Sequence, residues 1–130
     1  MQGITLIELM VVIVVVAILA SIATSTYRSY LVRTNRTEAR MALLRVQAAQ
    51  EKYFLQNNEY ADDDKLATGL GVPATTPSGY YTISVNRPTT TRYTVTATAI
   101  NGQAKDDKDC PVLSINNEGL KEPTGTTCWR

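Results

Sequence analysis

Residues 3–23, GITLIELMVVIVVVAILASIA, decide the fold of this 130-residue chain. The run from Ile4 to Ala23 is almost entirely apolar, and about 20 such residues are what a helix needs to span the hydrocarbon core of a bilayer. Its centre, residues 11–16, is β-branched throughout and would favour a strand in water. In lipid the backbone polar groups must be satisfied within the segment, so we predict a membrane-length helix.

The two cysteines bear on which side of the membrane the rest of the chain occupies. Cys110 and Cys128 suit one disulfide in an oxidising compartment, with a buried pair of free thiols as the alternative. Basic residues follow the apolar run and none precede it, which the positive-inside rule alone would interpret as a cytoplasmic C-terminal part. Long domains translocate largely regardless of charge, so the cysteines carry more weight. A secretory signal peptide is disfavoured, because the start carries no basic residue and the run continues into a helical pattern.

Glu8 is the one charged residue within the apolar run. A carboxylate in an apolar helix is costly and usually marks a functional contact. The positive end of the helix macrodipole compensates part of this cost near the N-terminus. Because no cation lies in the run, the partner of Glu8 must be a free amine or another chain.

The helix is predicted to continue to Asn57. No Pro or Gly occurs between Ile4 and Asn58, and strong helix formers dominate from Glu38 onward. The apolar residues of this part form two stripes on a helical wheel: Met41, Leu44, Ala48 and Leu55 on one face, and Ala42, Val46, Ala49 and Tyr53, widened by Leu43 and Phe54, on another. A surface helix needs only one stripe. Two stripes predict one face on a sheet and one against other subunits, with burial of the whole helix in one domain as the alternative.

Three alternating segments rich in Thr, Val, Ile and Tyr predict antiparallel strands at residues 79–85, 92–100 and 111–116, with a short fourth strand near Leu120. The residues expected to pack on the helix are Tyr81, Ile83, Val85, Tyr93, Val95, Ala97 and Ala99. Asn86-Arg87-Pro88 and the following threonines are expected to connect the first two strands, and Asn101-Gly102 predicts a turn after the second. The predicted fold class is therefore α+β, a long helix packed on a three- to four-stranded antiparallel sheet.

Composition argues against an enzyme. The chain has no histidine, the commonest general base and metal ligand, and no nucleophile–base pair is recognisable. The net charge of +1 predicts no strong electrostatic partner for the whole chain. Two acidic runs, Asp62–Asp64 and Asp106–Asp109, offer oxygen ligands for calcium but lack the alternating pattern with a central Gly of an EF-hand. We predict no catalytic residue, no metal and no cofactor.

The N-terminal stretch GITLIEL, followed by an apolar helix, resembles the N-terminus of type IV pilins and their relatives. The resemblance implies that a prepilin peptidase cuts after Gly3 and methylates the new amine on Ile4. The leader MQG would be short and lacks the basic residues of most family leaders. Glu8, the fifth residue after the cut, would neutralise the N-terminal amine of a neighbouring subunit, and Thr5 belongs to the same assembly motif.

A second resemblance covers most of the chain. Residues 36–61, RTEARMALLRVQAAQEKYFLQNNEYA, with GYYTISV at 79–85 and Cys128-Trp129, are similar to the PilE-like minor pilins, a group that includes the DNA-uptake receptor ComP. The resemblance implies the type IV pilin fold with a C-terminal disulfide region. It also implies a minor pilin that acts in pilus assembly or priming, and thereby in twitching motility, adhesion or DNA uptake.

Three alternatives to the minor-pilin hypothesis remain open. They are a major pilin that forms the fibre, a ComP-like DNA-binding receptor and a type II secretion pseudopilin. DNA is not the favoured partner, because acidic residues interleave with the basic ones of the head and ComP-like receptors carry an additional disulfide. The candidate DNA contacts are Arg87 and Arg92, which flank a Thr-rich loop.

The expected organisation follows from these patterns and resemblances. Residues 1–3 are the leader, 4–57 the long helix with 4–23 in the membrane or filament core, and 58–130 the globular head with loop 58–78, sheet 79–121 and disulfide-bounded region 110–128. The resemblance places the subunit in the bacterial inner membrane, single-pass with a periplasmic C-terminal domain, and then in the extracellular pilus. The implied partners are other pilin subunits, the inner-membrane assembly machinery, the prepilin peptidase, and the membrane before assembly.

Overall fold

The structure, a computed structural model, describes residues 2–130. The chain forms two compact units that divide between Leu31 and Val32. The elements in chain order are α1 (Leu6–Asn57), a 3₁₀-helix (Asp63–Lys65), β1 (Tyr81–Thr89), β2 (Arg92–Ala99), α2 (Asn101–Asp106), β3 (Val112–Asn116) and β4 (Lys121–Glu122). The predicted α+β class is confirmed, and α1 ends at the predicted residue.

The first unit contains the apolar part of α1. Its large apolar side chains are exposed from Ile4 to Ile22. None of the most apolar 18-residue stretch of the helix is buried. By length and composition α1 is able to cross a membrane. An apolar surface of this extent marks a membrane or protein contact rather than a surface kept in water.

From Val32 onward, α1 buries one face against the sheet. The buried positions recur every three or four residues, as one stripe of a helix requires; they are Asn35, Ala39, Leu43, Val46 and Gln50. The predicted stripe that includes Ala42, Ala49, Tyr53 and Phe54 is partly buried against the same core. Met41, Leu44 and Leu55 of the other stripe are exposed. Packing of one helix face on the sheet is confirmed, and contact of the second face with other subunits stays a prediction.

The sheet has four antiparallel strands in the order β1-β2-β3-β4. Inward and outward residues alternate along the strands, and the buried ones are Tyr81, Ile83, Val85, Tyr93, Val95, Ala97, Ala99, Leu113 and Ile115. Val95 pairs with Val85 on one side and Ile115 on the other, which sets the register of the central strands. The predicted inward faces and the short fourth strand are confirmed.

The first strand extends further than the sequence pattern predicts. The assignment of Asn86, Arg87 and Pro88 to a connection is wrong, because β1 continues through them to Thr89. β1 is an edge strand, and an edge tolerates a proline that has no N–H to donate. The pairing shifts register between Asn86 and Thr89, and the chain reverses at residues 90–91.

The prediction of a simple turn at Asn101-Gly102 is also wrong. Asn101 does redirect the chain, since it adopts a left-handed φ of 55°, a conformation that Asn tolerates better than most residues. It opens α2 instead of a hairpin, and its Nδ2 donates to the carbonyl oxygen of Gly79 at 2.9 Å. The short α2 brings Gln103 into the core.

One residue with a positive φ and one buried side chain fix the loop after α1 against the helix. Asn58 ends α1 with a φ of 57°, and its N–H donates to the carbonyl oxygen of Phe54 at 2.8 Å. Gln50 is completely buried and bonds Ala61 twice: Nε2 donates to the carbonyl oxygen at 2.9 Å, and Oε1 accepts from the N–H at 2.8 Å. These bonds satisfy a buried amide side chain and fix where the loop leaves the helix.

Candidate assembly motif and basic surface

Thr5 and Glu8 cap the start of α1. The N–H of Glu8 donates to Thr5 Oγ1 at 3.3 Å, and Glu8 Oε2 accepts a longer bond from the N–H of Thr5 at 3.5 Å. This reciprocal pair is a capping box, which satisfies two of the N–H groups that a helix start leaves unpaired. The Thr-x-x-Glu spacing signals this cap in the sequence, although the resemblance to pilins implies only an assembly role.

In the assembly motif, the carboxylate of Glu8 and the peptide bond between Gly3 and Ile4 are both accessible. A carboxylate offers about four lone-pair sites, and Glu8 uses one of its oxygens in the cap. Apart from Gly3 itself and its two chain neighbours, no atom lies within 4 Å of the position that a Cβ on Gly3 would take, and Ile4 is 76% exposed. The structure therefore leaves the Gly3–Ile4 bond open to an enzyme and Glu8 open to a cation.

Cys110 and Cys128 form the predicted disulfide. Both residues are buried in the core of the second unit, so the bond ties the C-terminal segment to the sheet. Trp129 reinforces this attachment, because its Nε1 donates to the carbonyl oxygen of Glu122 at 2.9 Å. Lys121 Nζ lies 5.3 Å from the Trp129 ring centroid, within cation–π range.

Asp107 accepts hydrogen bonds from α1, from α2 and from the backbone of the disulfide-bonded Cys110. Arg36 donates to it through Nε at 3.0 Å and Nη2 at 2.8 Å, which forms a bidentate ion pair between side chains that are 12% and 2% exposed. Gln103 Nε2 donates to Asp107 at 3.2 Å, and the N–H of Cys110 donates at 3.2 Å. Four donated bonds satisfy a carboxylate that would be costly to bury unpaired.

Gln103 extends this network towards the sheet and α1. Its Nε2 donates to the hydroxyl oxygen of Tyr81 at 2.9 Å, and its Oε1 accepts from Asn35 Nδ2 at 3.1 Å. Burial is the main cause that raises the pKa of Tyr81, and the bond from Gln103 partly opposes it. The network thus joins α1, α2, β1 and the disulfide. In the sequence, Asp107 stands in one of the two acidic runs that offer oxygen ligands for calcium, and no pattern marks Gln103.

The two candidate DNA contacts are not equivalent. Arg87 Nη1 donates to the carbonyl oxygen of Tyr60 at 2.9 Å and pairs with Glu59 at 3.2 Å, so its guanidinium holds the loop. Arg92 is exposed, and its side chain makes no ion pair or hydrogen bond within residues 2–130. It lines a cavity of about 270 Å³ together with Pro88, Tyr93, Thr94, Asn116, Asn117 and Glu118. Arg92 is the one of the two that is available to a ligand.

The acidic runs serve as local acceptors. Asp62 Oδ1 accepts from the N–H of Asp63 at 2.8 Å, and Asp63 Oδ1 accepts from the N–H of Val85 at 2.8 Å. Residues 2–130 contain no group of three or more His, Cys, Asp or Glu side chains that could hold a metal ion. Backbone N–H groups therefore bond Asp62 and Asp63, whereas Asp64 lies 4.0 Å from Lys65 Nζ and Asp107 pairs with Arg36.

Comparisons with known proteins place this chain in a family. A family model described as "Type IV minor pilin ComP, DNA uptake sequence receptor" matches residues 25–114, and the "Prokaryotic N-terminal methylation motif" matches residues 1–24. A solved type IV pilin from Shewanella oneidensis has 21% sequence identity, covers 76% of this chain and 98% of its own, and superposes with a TM-score of 0.58. No curated protein matches.

The apolar helix, antiparallel sheet and C-terminal disulfide have the fold of a type IV pilin. Since the first family model spans more than half of the chain, the protein belongs to the ComP family of type IV minor pilins. The predicted family and the minor-pilin function are confirmed. Proteins of this family are structural subunits that assemble into the pilus with other pilins, and the methylation motif with the apolar helix marks a membrane-anchored pilin.

Proposed function

We propose that this minor pilin is cut between Gly3 and Ile4 by a prepilin peptidase and enters the pilus through its apolar helix. Glu8 then pairs with the methylated amine of a neighbouring subunit. An apolar filament core makes an unpaired carboxylate costly, so this pairing sets the axial register. The observation that carries the proposal is the joint exposure of the Gly3–Ile4 bond, of Glu8 and of the whole apolar segment.

Before assembly, the head would lie on the periplasmic side of the inner membrane, where the assembly machinery collects the subunit. The buried Cys110–Cys128 disulfide supports this orientation, because such bonds persist in oxidising compartments. The exposed stripe of Met41, Leu44 and Leu55 offers a second contact with neighbouring heads. Its apolar character suits an interface between subunits.

The capping box allows the charge of Glu8 to be tested apart from its structural role. Glu8→Gln keeps the cap, because Gln also serves at this position, and removes the negative charge. Thr5→Ala removes the cap's hydroxyl acceptor and keeps the charge. We expect Glu8→Gln to lower the amount of subunit in sheared pili by more than about tenfold. Thr5→Ala should lower it less, because it removes the cap and keeps the charge, and the surface control Glu118→Gln should change it little.

Intact mass of the subunit in the same pili tests the processing step. The mass should lack residues 1–3 and carry one added methyl group, at low abundance beside another pilin. An unprocessed mass would overturn the cleavage site. Normal incorporation of Glu8→Gln would overturn the pairing of Glu8 with an amine.

A second function, DNA binding, is favoured by two observations. The matching family model is described as a DNA uptake sequence receptor, and the exposed Arg92 stands beside a polar groove at the end of the β1–β2 hairpin. An unpaired guanidinium contributes to phosphate binding by releasing counterions, so the affinity should fall steeply with salt. Arg87 would support the groove indirectly, by holding the loop.

Duplex binding by the full chain in an uncharged detergent tests this second function. Arg92→Gln should weaken binding across sequences and lower the salt slope by about one, whereas Arg45→Gln, at an exposed position on α1, should have no effect. Equal losses in the two variants would show only a general dependence on charge. Incorporation of Arg92→Gln into pili should stay normal, which separates the DNA function from assembly.

A further inference from the structure

A cavity of about 490 Å³ in the second unit is lined mainly by arginines. Its lining residues are Arg33, Arg36, Thr37, Arg40, Thr127 and Arg130, and we call it the arginine cavity. The first four lie at i, i+3, i+4 and i+7 on α1, which places them on one face of the helix. The last two lie on the segment that the disulfide ties to the sheet. It is separate from the Arg92 groove, with which it shares no residue.

The positive charge of this cavity is largely uncompensated. Arg36 is neutralised by Asp107, but the salt bridges of residues 2–130 give no carboxylate to Arg33, Arg40 or Arg130. None of the lining side chains is acidic. Like charges three and four positions apart on a helix repel one another, so the arrangement favours the presence of an anion.

Hydrogen-bonding capacity in the cavity is also unused. Arg40 Nη2 donates to Thr37 Oγ1 at 2.8 Å, but Arg40 Nε is buried without an acceptor among the described residues. A buried donor without a partner is a cost that a bound acceptor removes. The hydroxyl of Thr127 takes part in no hydrogen bond within residues 2–130, so it adds a neutral donor opposite the helix.

We propose that the arginine cavity binds a phosphate group, either free or on the head group of an anionic lipid. Guanidinium groups match phosphate oxygens in bidentate geometry, and a phosphate monoester carries about −1.5 to −2 charge with three acceptor oxygens. Arg33, Arg40 and Arg130 supply the charge, and Thr127 supplies a hydroxyl. Arg36 does not bind the ligand directly, since Asp107 occupies it; it positions the wall of the cavity.

Calorimetric titration of inorganic phosphate into the full chain, in an uncharged detergent at constant ionic strength, tests the site. We expect saturable binding of one phosphate, weakened about tenfold by Arg33→Gln or Arg40→Gln, because each removes a charge-assisted bond. Arg45→Gln is the matched control, an exposed arginine on the same helix outside the cavity, and should bind like the unaltered chain. Thr127→Val tests the contribution of the disulfide-tethered wall and should also weaken binding.

The same titration in vesicles assigns the source of the phosphate. If phosphatidate in phosphatidylcholine vesicles weakens the binding of free phosphate, and Arg40→Gln abolishes this competition, the ligand is a lipid head group. If phosphatidate has no effect, the ligand is a free phosphate. Either result supports the site.

Three results would overturn the proposal. The first is the absence of saturable phosphate binding, and the second is an equal loss in Arg45→Gln. The third is displacement of phosphate by duplex DNA with Arg40→Gln weakening both ligands alike, which would make the cavity part of a DNA surface. Incorporation into pili and the effect of Arg92→Gln on DNA are read separately, so failure of this site leaves both proposed functions standing.

Discussion

Two buried tyrosines on neighbouring strands differ in a single hydrogen bond. Tyr81 and Tyr93 are almost completely inaccessible to solvent, and burial raises the pKa of both phenols. The hydroxyl oxygen of Tyr81 accepts from Gln103 Nε2, whereas that of Tyr93 has no partner among the described residues. One sheet therefore contains one buried hydroxyl with a hydrogen-bond partner and one without a partner among the described residues.

Removing each hydroxyl should change stability in opposite directions. Tyr93→Phe should raise the free energy of unfolding by about 1 kcal/mol, because it removes a group that is desolvated without gaining a bond. Tyr81→Phe should lower the free energy of unfolding by about 1 kcal/mol, because it removes a hydrogen bond. Chemical unfolding of the full chain in detergent, followed by the fluorescence of Trp129, measures both. A loss of stability in both variants would show that Tyr93 does have a partner.

The role of a single residue was predictable where it depends on residues nearby in the sequence. Glu8 stands out as a carboxylate in an apolar run, and the Thr5-x-x-Glu8 spacing alone specifies the cap. Asp107 was not predictable, because its main partner, Arg36, lies 71 residues earlier in the chain. A short run of acids looks the same in a sequence whether one of them is solvated or buried in an ion pair.

At the scale of the element, α1 presents different faces at successive positions. Leu43 is 0% exposed in the core, whereas Leu44, the next residue, is 45% exposed. A helix rotates by about 100° per residue, so neighbours in sequence serve different surfaces. Within the second unit, the helix thus supplies a core face and an apolar face that the head itself does not cover.

The pair Leu43→Ala and Leu44→Ala separates these two faces. Leu43→Ala should lower the free energy of unfolding by about 2–5 kcal/mol, because it leaves a cavity in the core. Leu44→Ala should change it by less than about 0.5 kcal/mol but reduce incorporation into pili, where its face would meet other subunits. Unfolding of the detergent-solubilised chain and the abundance in sheared pili provide the two readouts. Full incorporation of Leu44→Ala would remove this face from the proposed interface.

Most elements were predictable from periodicity, but the extension of β1 and the presence of α2 were not. The end of α1 and the inward faces of β1 and β2 follow from local patterns that the structure confirms. The extension of β1 through Pro88 was not predictable, because it depends on β1 being an edge strand. α2 was missed because its six residues are stabilised by the burial of Gln103 rather than by a helical pattern.

For the whole molecule, buried tyrosines predict sensitivity to alkaline pH. Burial is the largest cause that raises the pKa of Tyr60, Tyr81 and Tyr93, whereas unfolded tyrosine titrates near about 10. Below about pH 10 these phenols are neutral in both states and contribute no pH dependence. Above it the unfolded chain releases protons that the folded chain retains, so stability falls as pH rises towards the raised values.

The free energy of unfolding, measured from pH 8 to 11.5, should therefore decline above about pH 10. Tyr93→Phe should make this decline shallower, because one of the three buried phenols no longer ionises on unfolding. A variant curve that runs parallel to that of the unaltered chain would show that Tyr93 ionises equally in both states.

The disulfide acts on the whole second unit, because it closes a segment that contains β3 and β4. Cys110 and Cys128 are 18 residues apart, and a loop of this size contributes about 3 kcal/mol in the chain-entropy model. Thr127 and Arg130 of the arginine cavity flank Cys128, so the bond also holds one wall of that cavity. The disulfide was predictable from the number of cysteines. Its contact with the arginine cavity was not, because the opposite wall of that cavity comes from residues 33–40.

Reduction should consequently lower stability and phosphate affinity together. We expect a reductant to decrease the free energy of unfolding of the unaltered chain by about 3 kcal/mol and to weaken phosphate binding, because Thr127 and Arg130 are no longer held near α1. The double variant Cys110→Ala/Cys128→Ala is the control: it should match the reduced chain and be insensitive to reductant. If reduction lowers stability and leaves phosphate affinity unchanged, the helix arginines bind the anion without the tethered wall. A reductant effect on the double variant would instead mean that the loss does not come from this bond.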